Sequence, residues 1–140
     1  SLSAQRVVSD PQRIVNALLK NVYHAFDFRR QEKIYDVLAE SVEGDLLTDI
    51  YLETLRGLEL SNQGGARAKV KAIELQQLEA EPLSATEGFT AEATWQVHGS
   101  VGHRGHVHQR VNQYHARLAI APVEGRWKIT GLDLVSEERL

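Results

Sequence analysis

The sequence predicts an α+β fold in which three helices precede a curved four-stranded antiparallel sheet. Three observations carry that expectation. Apolar residues recur three and four apart through the first 60 or so positions, the spacing changes to two from Ala66 onward, and the segment Ser61-Asn62-Gln63-Gly64-Gly65 separates the two regimes as a strong breaker. No strand pattern comes before that break, and no compelling helical pattern comes after it.

The first helix has a legible start. Ser9 or Asp10 can accept from the unpaired first-turn N–H groups, Pro11 suits the first helical position, and Gln12 stands three after Ser9 at capping-box spacing. Its apolar stripe runs Ile14, Leu18, Val22, Phe26, widened by Val15 and Leu19. After a polar break from Asp27 to Gln31, a second helix turns Ile34, Val37 and Leu38 inward and stops near Gly44. Asp45 is then placed to cap a third helix with Leu47, Ile50, Tyr51, Leu55 and Leu58 on its apolar side.

Four strands follow, at Ala66–Leu78, Gly88–Val101, His106–Pro122 and Arg126–Val135. Their connections suit neighbouring antiparallel pairs: a loop around Pro82, then Gly102 to Gly105, then Glu124-Gly125. The last is the strongest hairpin signal, because Gly supplies the positive φ of a tight turn. The second and third strands are long enough to predict a bulge or bend in each. No repeat or linker interrupts the chain, so residues 1–140 are read as one domain.

Composition narrows the function classes. A chain of 140 residues buries about 70% of its unfolded surface and needs no metal or disulfide to fold. There are 16 Lys and Arg against 19 Asp and Glu, a net charge of -3, and no basic run beyond Arg29-Arg30, which argues against a nucleic-acid partner. The absence of cysteine removes thiol nucleophiles, disulfides and iron–sulfur clusters. No apolar run reaches the ~20 residues of a membrane-spanning helix. The chain starts Ser1-Leu2-Ser3 and contains no Met, which reads either as a trimmed initiator or, preferably, as a segment of a longer polypeptide.

Candidate chemistry gathers on the third strand. With side chains alternating, His106, His108, Arg110, Asn112 and Tyr114 share one face with the apolar Leu118 and Ile120, so a regular ladder would point them towards the helices. A bulge near Gly105 would turn the histidines outward. As a ligand pocket, Arg110 would offer a charged fork to a carboxylate or phosphate, Asn112 and Tyr114 neutral hydrogen bonds, and Tyr23, Tyr35 and Trp95 aromatic walls. As a metal site, His106 and His108 would need a third ligand from His98 or His103, and no Asp or Glu lies between Glu92 and Glu124. As plain surface, the same residues would be solvated at the open end of the sheet. Acid–base chemistry would need a carboxylate beside a histidine, with Asp27, Asp36 and Asp49 as the candidates.

Tyr23-His24-Ala25-Phe26 at the end of the first helix, together with Gly125-Arg126-Trp127-Lys128-Ile129 in the last strand, resembles the NTF2-like superfamily. The resemblance implies a cone closed by helices, with a pocket between helix and sheet and dimerisation through the exposed sheet face. The outward residues Gln109, Gln113 and Arg117 make that face polar. The short strand that the superfamily places between its second and third helices has only Ser41-Val42-Glu43-Gly44 to form it, so it is missing or vestigial here. Tyr23 to Phe28 and Asn62 to Ala66 also look like extracytoplasmic domains attached to bacterial membrane proteins. The expectation is therefore a non-enzymatic, cofactor-free domain that binds a small molecule or a protein partner. Two alternatives stand beside it: a lyase or isomerase using His106 or His108 with Asp36 or Tyr114, and a metal-binding module through His106 and His108.

Overall fold

The computed structural model describes residues 10–140. Helix α1 spans Pro11–His24 and tightens into a 3-10 turn at Ala25–Asp27; α2 spans Gln31–Ala39 and α3 Asp45–Asn62. Strands β1 (Arg67–Pro82), β2 (Phe89–His103), β3 (His106–Val123) and β4 (Arg126–Arg139) pair in sequence order as one open antiparallel sheet. The predicted fold class and element order hold throughout.

Pro11 starts α1 as expected, but the side chain of Asp10 makes no capping bond, and Ser9 lies outside the described residues. Val15, Leu18 and Leu19 are buried, with Ile14 and Val22 beside them. Phe26 departs from the predicted stripe and stands exposed. The 3-10 turn advances the chain faster than an α-helix does, and it is Ala25 that becomes buried. Before α3, Gly44 takes φ 75 and is itself the N-cap, so Asp45 is the first helical residue and not the cap. There its charge still favours the helix N-terminus.

Both tight hairpins follow the predicted turn chemistry. Arg104 and Gly105 (φ 49 and 82) join β2 to β3, and Glu124 and Gly125 (φ 51 and 81) join β3 to β4. Two successive positive φ values match the right-handed twist of the flanking strands. Of the bulge or bend expected in β2 and β3, no bulge occurs between them, because those strands pair without a shift from Phe89↔Ile120 to His103↔His106. The irregularities sit in the outer strands instead, at Lys71 and Gln76 of β1 and at Thr130 and Val135 of β4. An extra residue in a central strand would break two ladders, whereas in an edge strand it breaks one.

The core lies between α1 and the near half of the sheet. Val15, Leu18 and Leu19 pack on Phe89, Ala91, Ala93 and Trp95 of β2, Ala116, Leu118 and Ile120 of β3, and Ile129 of β4. A second cluster gathers Ala25, Ile34, Val37, Leu38, Val42 and Leu47 among the helices. Asn21 ties the two layers together, donating to the Val37 carbonyl at 2.8 Å and to the buried Ser41 hydroxyl at 2.7 Å. The vestigial strand is now defined. Ile129 donates to the Ser41 carbonyl and accepts from Glu43 N–H, leaving one parallel bridge between Val42 and Ile129.

Candidate functional site

The unshifted β2–β3 ladder sets the phase of β3. Ala116, Leu118 and Ile120 are buried under α1, so Tyr114, Asn112, Arg110, His108 and His106 alternate along that same inner face. The ladder is regular, so the condition for an inward face is met and no bulge turns the histidines over, but the helices do not reach the whole series. Strands of 15 to 18 residues extend about 50–60 Å, whereas the 14 residues of α1 extend about 20 Å. Tyr114, Asn112 and Arg110 are half-buried, and His108 and His106 are exposed at the end of the sheet.

The aromatic wall is filled rather than open. Trp95, directly opposite Tyr114, is only 3% exposed and stacks on it with ring centroids 5.7 Å apart. The Trp95 indole N–H donates to the Tyr23 hydroxyl at 3.0 Å, which locks the end of α1 onto the sheet. Burial pushes the Tyr23 phenol up to about 12, opposed by that indole bond and assisted by the neighbouring Tyr114 and Glu137. Tyr35 is not part of this arrangement: it is exposed and packs edge-on against Tyr51 of α3. Beside Tyr23, a groove of about 340 Å³ runs between α1 and β1 over Val70 and Ile73.

Beyond the aromatic stack, the polar groups are incompletely paired. Asn112 donates to the Tyr114 hydroxyl across a long 3.4 Å, while its Oδ1 is shut away from solvent with no protein partner among the described residues. Arg110 Nε is in the same condition. Gly99 stands opposite Arg110, and a Cβ there would overlap the Lys69 carbonyl oxygen, so β1 approaches at a distance that only glycine allows.

The three carboxylates considered for acid–base work are exposed on or beside the helices, and none joins His106 or His108. Asp27 pairs locally with His24 at 3.2 Å. Elsewhere His98 lies 3.7 Å from Glu74, and His115 lies 3.8 Å from Glu92 while bonded to Thr94 at 2.8 Å, both pairs on the outer face. Among the described residues, no three His, Asp or Glu side chains come together in a metal-binding group. The inner face does offer hydrogen-bonding groups. Arg110 can donate, Asn112 Oδ1 can accept, and Tyr114 can do either. Sequence reasoning identified these three but did not find the Tyr23–Trp95 bond, whose members lie 72 residues apart.

The fold and this face define a class: helices on one side of an open antiparallel α+β sheet, with an unfilled polar end. No protein-family profile matches the sequence, and no curated protein matches it either. Among solved structures, the intermembrane space region of the chloroplast protein ARC6 is similar in fold, with a TM-score of 0.60 at 16% identity, over 89% of this chain and 95% of that one. A de novo designed β-sheet protein aligns at a TM-score of 0.43 and 15% identity, over 97% of this chain and 92% of that one. Among the described residues, no helix is long and apolar enough to cross a membrane.

Proposed function

We propose that this chain is a non-enzymatic, NTF2-like binding domain of a membrane-associated protein, placed outside the cytoplasm, and that its inner sheet face receives a group from a protein or small-molecule partner. The observation that carries the reading is the pair of unsatisfied atoms, Arg110 Nε and Asn112 Oδ1, on a face the helices leave uncovered. Among the described residues three buried side-chain atoms lack a hydrogen-bond partner, His98 Nε2 on the outer face and these two together on the inner face; each costs about 1–3 kcal/mol, so the inner pair sacrifices stability at one spot. A partner group that accepts from Arg110 and donates to Asn112, once these half-buried side chains turn towards it, recovers that cost. The fold it shares with the intermembrane space region of a chloroplast protein supports an extracytoplasmic setting. The packed Trp95, and the absence among the described residues of a carboxylate paired with His106 or His108, favour binding over turnover.

The test needs no knowledge of the partner. Arg110→Met and Asn112→Leu remove the orphaned atoms while keeping volume, and each is expected to leave the free domain as stable or more stable in urea unfolding. Destabilisation by more than about 1 kcal/mol in both would show that these atoms hold the fold together and would sink the reading. Turnover of lactone, ketosteroid or hydroxy-acid substrates by the wild-type domain would equally displace it in favour of a lyase or isomerase.

A further inference from the structure

Charge is distributed very unevenly along the sheet. The lobe formed by residues 67–73 of β1 and 97–111 of β2 and β3 carries Arg67, Lys69, Lys71, Arg104 and Arg110 and no acidic residue. The remaining 11 cations face all 19 acids, so the rest of the chain is eight charges negative while the lobe is five positive. Strand register gathers these residues at one end, since Arg67 lies opposite Gly102, Lys69 opposite Ser100, and Gly99 opposite Arg110. Four histidines, at 98, 103, 106 and 108, share the same lobe.

We propose that this end of the sheet docks on an anionic lipid surface, through the cations of its outer face and turn with Arg110 of the inner face beside them. The arrangement of the cations selects that partner over a groove-bound peptide. Arg67 and Lys69 stand on the outer face with Lys71, which bonds to the outward Gln109 at 3.0 Å, Arg110 stands on the inner face, and Arg104 occupies the turn itself. Cations on both faces and at the tip of a projecting hairpin suit a flat charged surface met end-on; a bound strand would reach only one face. Val107, 65% exposed next to the turn, adds a small apolar foothold. The lobe has no Phe, Tyr or Trp, and so lacks the stacking platforms that single-stranded nucleic acid uses. The carboxylate that borders the lobe is Glu74, 3.7 Å from His98 on the outer face, whereas Glu138 and Glu137 of β4 pair with Gln113 and Tyr114, about 25 Å along β3 from the turn and well beyond a Debye length of about 8 Å.

The test is co-sedimentation of the full chain with vesicles of phosphatidylcholine mixed with phosphatidylglycerol, and with phosphatidylcholine alone. Binding is expected to the mixed vesicles only, and to weaken as salt is raised. Each Lys or Arg near such a surface contributes about five-fold in affinity, so R67Q/K69Q/R104N is expected to lose about a hundred-fold. Asn is chosen at position 104 because it accepts the positive φ of the turn. The control R13Q/R56Q/R126Q has the same net charge and is expected to bind like the wild type. Equal loss in both triple variants, or no vesicle binding, would overturn the proposal. So would binding of polyglutamate by the lobe with vesicles left unbound, which would assign it to an acidic polypeptide instead. Arg110 and Asn112 are intact in every variant, so a loss of vesicle binding reports the outer-face and turn cations alone, while the inner-face reading is tested separately by urea unfolding of the Arg110 and Asn112 variants.

Discussion

Replacing Tyr23 by phenylalanine removes one oxygen and tests how the end of α1 is held. In the wild type that oxygen accepts from the Trp95 indole at 3.0 Å, inside a site where the indole is almost wholly buried. Without it the N–H has no acceptor, at a cost of about 1–3 kcal/mol at neutral pH. With a urea dependence of about 1–3 kcal/mol per molar for a domain of this size, the midpoint should fall by about 1 M. The alkaline limb gives a second reading of opposite sign. The Tyr23 phenol titrates from 10.0 when unfolded to about 12 when folded. Its proton is kept by both states below pH 10 and lost first by the unfolded state above it. Wild-type stability therefore declines between pH 10 and 12, by roughly 2–3 kcal/mol from this group alone, and the phenylalanine variant escapes that share. The gap between the two proteins, followed by tryptophan fluorescence, should narrow or reverse by about pH 11.5. A gap that is absent at neutral pH, or that stays constant through pH 11.5, would refute the account.

Two further outcomes follow from the same packing. Gly99→Ala should destabilise the domain by about 1–3 kcal/mol and raise amide exchange at the β1–β2 edge, because the new methyl would displace the Lys69 carbonyl; hydrogen exchange read by NMR would locate the damage. Asn21→Ala should cost a similar amount in chemical denaturation and loosen the Glu43 amide, since it removes the bonds holding α2 and the Ser41 segment to α1.

Much of the architecture was legible in the residues. The spacing of Ile14, Leu18 and Val22 marks α1, the change of period after Gly65 marks the sheet, and Glu124-Gly125 marks its last turn. The inward phase of Arg110, Asn112 and Tyr114 could be stated conditionally, the condition being an unbroken ladder, and the β2–β3 pairing satisfies it. Strand length suggests a bulge or bend in β2 and β3, yet the register shifts fall in β1 and β4, because length is visible in a sequence while position within the sheet is not. Tyr35 was grouped with the strand for its chemistry, yet it lies on a helix whose packing partner is α3.

The sequence by itself determined the elements, their order and the alternation of each strand, because these depend on contacts between residues a few positions apart. Tertiary structure alone decided what depends on residues far apart in the chain. It closed Trp95 against Tyr23, turned Ser41–Glu43 into a single bridge on β4, left Asn112 Oδ1 and Arg110 Nε unpaired, and brought Arg67 and Lys69 to the tip of a hairpin more than 30 residues away. Register and burial are properties of the assembled sheet, and no local pattern encodes them.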